Sequence, residues 1–201
     1  PPEADTTAFR VTPPAFGAGL TQAVNDADII ANQNNPPSGN VSGIARIVQP
    51  LEGGPTRVGK FGWKAGVATM LTFSGDASLN EMGLTNRLVP SENLPNGDAV
   101  LLAQCDTVAD PEDFPDGEGF DKIDRMDDFQ RFLAQPPQTP RSGMTGESLF
   151  NSVGCADCHS PKILTPRGPE VDPARFLSGH PEDSNLPPAP VLPEGPWLAV
   201  G

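Results

Sequence analysis

Cys155-Ala-Asp-Cys158-His159 is the stretch of this chain whose residue types and spacing carry a defined chemistry. Two thiols three positions apart can reach the two vinyl groups of a porphyrin as thioethers. The histidine that follows can then turn its imidazole under the ring to ligate iron, so Cys-x-x-Cys-His is the attachment pattern of c-type haem. Other uses of the same residues fit less well. A thioredoxin-like redox pair follows a buried strand, whereas residues 148–154 read as a short amphipathic helix. Structural zinc needs a second pair of ligands at similar spacing, and only the separate Cys105 and His180 remain. A Cys155–Cys158 disulfide leaves His159 without a reason. The site residues expected from the motif are therefore Cys155 and Cys158 for covalent haem c and His159 for the iron.

The rest of the chain must position that motif, and its composition says how. Only 36% of the 201 residues are hydrophobic, and 25 prolines and 21 glycines call for much ordered loop. A porphyrin would add a large apolar body to such a chain and close a core around itself. The formal charge of −13 argues against nucleic acid and anionic membrane surfaces as partners, and favours a basic redox partner protein. No run of about twenty apolar residues occurs, so no membrane span is expected. The sequence opens at Pro1 with no initiator methionine or signal-type region, so a processed protein or an excised piece is expected. Covalent haem attachment takes place outside the cytoplasm, which makes the periplasm the expected compartment. Cys105, left over after the haem pair, reads as a buried, inert cysteine.

Residues 20–31 place Leu20, Val24, Ala27 and Ala31 on one helical face, and residues 44–48 are β-branched enough for a short strand. A helical pattern covers residues 64–82, interrupted near Ser74-Gly75-Asp76. Another covers residues 124–135, with Met126, Phe129, Phe132 and Leu133 spaced for a buried side and Pro136 and Pro137 ending it. Thr145 can cap the helix bearing Leu149, Phe150 and Val153 into the haem motif. Between residues 106 and 128 lies the densest run of acids. It fails the EF-hand pattern, because Phe114 falls on a ligand position and no glutamate stands at position twelve. A solvated acidic loop is the expectation, with calcium as the alternative occupant.

Five segments in order resemble the di-haem oxidoreductases, a family related to the bacterial di-haem cytochrome c peroxidases. They are Pro14-Ala-Phe-Gly-Ala-Gly-Leu, Gly59-Lys-Phe-Gly-Trp-Lys-Ala65, Asn80-Glu-Met-Gly-Leu-Thr-Asn86, Phe129-Gln-Arg-Phe-Leu-Ala134 and the Gly146-to-His159 segment. The resemblance implies a mainly α, loop-rich fold with a cytochrome c-like haem domain, incomplete at both ends. Residues 1–141 would form the inter-haem portion and residues 142–201 the start of a haem-binding domain, with a further haem motif upstream of Pro1. It implies one-electron transfer with peroxidase-like chemistry, Trp63 as the tryptophan between haems, and Glu81 as the acid that helps to split peroxide. Leu71 stands where the family's polar partner of that acid is expected. After His159 the sequence resembles another group, the small electron-transfer cytochromes associated with dehydrogenases, which supports an alternative reading as a non-catalytic mono-haem carrier. Sixth-ligand candidates are Met70, Met82, Met126, Met144 and His180. The four methionines read as core residues and the histidine as a surface one, so an open iron position is expected.

Overall fold

The computed structural model describes residue 9 and residues 11–34, 41–94, 97–134, 136, 146–160 and 163. The described residues are mainly α, with one two-stranded sheet among them. At its centre lies α3 (Met70–Met82), which packs on α5 (Lys122–Phe132), while α1 (Ala18–Gln22) touches both. Val24, Val58, Ala68, Met70, Leu71, Leu79 and Ile123 form the apolar core.

Helix α3 has clear chemical ends. Thr69 accepts a hydrogen bond from Thr72 N (3.1 Å), and Gly83 closes the other end at φ 68°, where its N–H reaches Leu79 O and that of Leu84 reaches Ser78 O. The helix begins at Met70 rather than Lys64, because Lys64 and Ala65 take positive φ in a loop that precedes it. Gly75 does not interrupt it. A Cβ there would lie 3.1 Å from Leu88 and 3.2 Å from Asn86 Oδ1, so glycine lets the following turn press onto the helix. Asn86 fastens that turn: its Nδ2 donates to Gly75 O (2.9 Å), and its Oδ1 accepts from Leu88 N and Val89 N.

The helix expected over residues 20–31 divides into α1 and α2 (Asp26–Asn34). Asp26 explains the break, since its carboxylate accepts Val58 N (2.9 Å) and pairs with Lys60 Nζ (2.6 Å). That bond ties the start of α2 to the hairpin of β1 (Ile47–Val48) and β2 (Arg57–Val58), in which Ile47 faces Val58 and Val48 faces Arg57. A short helix absent from the sequence expectation, α4 (Ala99–Cys105), is capped by Asp98, which accepts Leu101 N at 2.9 Å. Cys105, expected to be buried, is exposed there.

The acidic run is not a solvated loop throughout. Asp113 is buried and accepts Lys122 N (3.0 Å) and Ile123 N (3.1 Å), satisfying the donors that open α5. Asp121 and Asp124 are buried against Arg87, at 2.7 and 2.6 Å. The buried side of α5 also differs from expectation. Ile123, Asp124, Asp127 and Arg131 face inward, while Phe129 and Phe132 are 64% and 47% exposed. Asp127 and Arg131, one turn apart, form an ion pair that fills this face, so the aromatic residues turn outward.

Candidate functional site

Helix α6 (Gly146–Ser152) leads into the Cys-x-x-Cys-His motif. Gly154, at φ 86°, ends it in the left-handed conformation that glycine adopts without a side-chain penalty. A 3-10 turn follows over Cys155–Asp157, and Cys158 N donates to Cys155 O at 3.2 Å. Side chains three apart on a 3-10 turn stand one above the other, so the turn is suited to presenting both thiols toward one side. His159 N donates to the same Cys155 carbonyl at 2.9 Å, fixing its backbone directly beyond the second thiol. The imidazole lies against Phe150, with ring centroids 6.2 Å apart and tilted by 58°.

Both thiols are free and exposed, and His159 is exposed with them. Leu149 and Val153, 61% and 63% exposed, leave an apolar surface on the helix that delivers the motif. This donor set fits haem c: two reduced thiols, an accessible imidazole and an uncovered apolar face are what a flat, largely apolar macrocycle would occupy. Asn32 Nδ2 donates to Ser160 Oγ (3.3 Å), which places the end of the motif beside the end of α2. Thr145 lies outside the described residues, as do Met144 and His180. Of the other methionines, Met70 is buried, Met126 half-buried and Met82 exposed.

Trp63 occupies the tip of a second hairpin loop. Lys60 N and Phe61 N both donate to Val67 O, at 2.8 and 2.9 Å, and Val67 N returns a bond to Phe61 O at 3.0 Å. Lys64 and Ala65 sit within the loop at φ 52° and 50°, a left-handed conformation unusual for residues with a Cβ. The loop also lies close over the strand. A Cβ on Gly59 would meet Ala65 O at 1.9 Å, so only glycine fits there. The indole that results is 82% exposed. Glu81, near the end of α3, faces solvent. Among the described residues, no hydrogen bond, ion pair or ring contact joins Trp63 or Glu81 to Cys155, Cys158 or His159.

The Asn80–Asn86 segment does more structurally through its second half than through Glu81. Thr85 is buried, its N–H donates to Glu112 (3.0 Å), and its hydroxyl donates to Asp110 (2.6 Å) and accepts Glu112 N (3.0 Å). Arg87 follows with its two carboxylates; its guanidinium is held above the usual range by the Asp121 and Asp124 bonds, which outweigh the opposing effect of burial. Sequence reasoning passed over Thr85 and Arg87. The signal available was an arginine next to Thr85-Asn86, with a dense acid run downstream to receive it.

Glu92, Asp106 and Asp110 bring one carboxylate oxygen each within 4.8 Å of one another. Desolvation, with the charges of Asp110, Asp106 and Glu112, pushes the Glu92 carboxyl above its ordinary range.

Comparison with known families adds the deciding observation. The profile described as "Di-haem oxidoreductase, putative peroxidase" matches residues 4–176, through the Trp63 loop, the Asn86 turn and α5, and on past the haem motif. The chain belongs to the di-haem oxidoreductase family. No curated protein and no solved structure matches it. Membership implies redox work with a haem cofactor, and no described helix is long and apolar enough to cross a membrane.

Proposed function

We propose that this di-haem oxidoreductase chain binds haem c through Cys155 and Cys158, with His159 as an axial iron ligand, and carries one-electron transfer. The observation behind this reading is the motif itself: two free, exposed thiols at the ends of a single 3-10 turn, with His159 bonded back to it and Leu149 and Val153 uncovered beside it. Haem iron so held supplies reversible one-electron chemistry. The chain's own residues do the positioning. Gly154 turns the backbone so that the thiols follow directly on α6, and Phe150 limits the directions the imidazole can take. The cytochrome c-like character of residues 142–201 and a periplasmic location belong to the same reading, since covalent haem is attached outside the cytoplasm.

Trp63 is proposed as the residue that passes electrons between haems, because a strained loop holds its indole outward instead of burying it. Glu81 is proposed as the acid of peroxide reduction, on the family resemblance and its free access to solvent. The alternative, a non-catalytic electron carrier, draws support from the lack of contact between these two residues and the motif. Peroxide turnover by the matured protein that falls in Glu81→Gln separates the two readings. If the acidic region takes calcium, Glu92, Asp106 and Asp110 would hold it.

The central test is attachment. Protein matured with the c-haem machinery should give a pyridine haemochrome spectrum of the thioether type. Cys155→Ala or Cys158→Ala should each leave one thioether by mass spectrometry, and the double variant none. Covalent haem on the double variant would overturn the assignment.

A further inference from the structure

No direct contact joins the haem motif to the Trp63 loop among the described residues, yet the last turn of α2 reaches toward both. Two consecutive side chains there take different partners. Asn32 Nδ2 donates to Ser160 Oγ at 3.3 Å, one residue beyond His159. Gln33 Oε1 accepts Ala45 N at 2.7 Å, and the next residue, Arg46, donates from its guanidinium to Lys64 O at 3.3 Å, one residue beyond Trp63. The same guanidinium borders Gly66 in that loop, where a Cβ would stand 3.5 Å from it. The opening end of α2 is anchored separately. Asp26 accepts Val58 N at 2.9 Å and pairs at 2.6 Å with Lys60, whose side chain is buried. Lys60 N in turn closes the base of the Trp63 loop on Val67 O at 2.8 Å.

Between these anchors α2 gives little to the core, since none of its nine residues is buried. A helix that short is marginal in water without tertiary support, so its bonds to neighbouring segments are what hold it. A helix bonded at both ends that buries no residue works as a spacer, and about 9 Å of rise separates residue 26 from residue 32. From this arrangement we infer that Asn32 and Gln33 are positioning residues, which hold the backbone beyond His159 in register with the Trp63 loop and so set the spacing between the haem site and the indole. This role rests on haem attachment at Cys155 and Cys158 and goes beyond it, because the thioethers tie haem to its own turn and not to the rest of the chain. Both side chains are exposed, so their bonds exchange readily with water and contribute little to folding. They can still govern placement, because the ion pair at Asp26 has already ordered the helix and its far end loses little further freedom on bonding.

The experiment uses the full chain matured with covalent haem, in a Trp197→Phe background that leaves Trp63 as the sole indole. Energy transfer to haem shortens the fluorescence lifetime of the indole and weakens steeply with distance, so the lifetime reports the spacing. Asn32→Ala and Gln33→Ala should each lengthen and broaden the Trp63 lifetime while the unfolding midpoint stays at the wild-type value. Asn32→Asp, whose carboxylate can accept from the Ser160 hydroxyl, and Gln33→Glu, which keeps an acceptor for Ala45 N, should restore it. Ser160→Ala should reproduce Asn32→Ala, and the two combined should add nothing further, as expected of residues that act through one bond. In haem-free protein the Asn32 and Ser160 variants should leave the lifetime unchanged. Wild-type lifetimes in the haem-loaded alanine variants, or equal shifts with and without haem, would overturn the inference and leave haem attachment standing. A parent chain that shows no covalent haem by pyridine haemochrome would overturn both.

Discussion

The acidic stretch from Asp106 to Arg131 and the motif stretch from Gly146 to Ser160 are both short, polar and glycine-bearing, yet they end in opposite states. In the first, carboxylates find arginines, Thr85 and the opening N–H groups of α5, so that charged side chains become interior ones. In the second, the helix and turn bond mainly to themselves, while thiols, imidazole, Leu149 and Val153 remain outside. A segment that completes its polar groups within the chain is scaffold. One that completes its backbone but leaves reactive and apolar side chains exposed is shaped for something the polypeptide does not supply.

The comparison breaks most sharply at the buried pair of α5. Measured at about pH 8, where the Asp127 carboxyl is ionised, Arg131→Met strands that charge in the interior and should cost about 3–5 kcal/mol in denaturant unfolding. Pairing it with Asp127→Leu should recover most of that loss, because two apolar side chains leave no buried charge uncompensated. If the double variant is as unstable as the single one, packing rather than charge holds this face.

Next in size is Gly19→Ala. A Cβ at Gly19 would lie 2.0 Å from Arg131 O, so α1 must move away from α5, and the bond from Gly17 N to Leu133 O is stretched with it. The expected cost is about 1–3 kcal/mol, read as a lower midpoint at unchanged slope. Wild-type stability would show that α1 sits on α5 more loosely than described.

The sequence made the helices easier to read than their faces. The period that located α5 assigned Phe129 and Phe132 to the interior, because apolar spacing cannot foresee that Asp127 and Arg131, at the same spacing, bury one another. Gly75 read as an interruption of α3, since the residue that makes use of its missing side chain, Asn86, lies in a later turn. The proposed haem motif stood out in the sequence because its pattern is local, with two thiols and one imidazole within five residues.

A subtler effect should appear with pH. Burial pushes Asp127 up from 3.8 to about 7, against the opposing pull of Arg131 and with help from Asp128, Glu52 and Asp124. Its folded value therefore lies above its unfolded one. Below pH 3.8 the carboxyl is protonated in both states, and from there to about 7 only the unfolded chain ionises it. The stability this group contributes is thus greatest at low pH and is lost as pH rises through about 7. The difference in unfolding free energy between wild type and Asp127→Asn should fall across that window and level off above it. A difference that is flat with pH would mean that Arg131 keeps the carboxylate ionised throughout.

The smallest expected effect tests the other half of the comparison. Leu149 is exposed on α6 and supports nothing in the polypeptide core, so Leu149→Ala in haem-free protein should shift stability by no more than about 0.5 kcal/mol. On the proposed reading the same substitution should be felt in haem-loaded protein, because it removes apolar surface that the macrocycle would cover, at about 25 cal/mol per Å² of area lost. Thermal melts of the two forms, followed by far-ultraviolet circular dichroism and, for the loaded form, by the haem band, measure both arms on one variant. Equal shifts in the two forms would mean that Leu149 packs against protein in both. A shift confined to the loaded form would mean that the exposed face of α6 is part of the haem site.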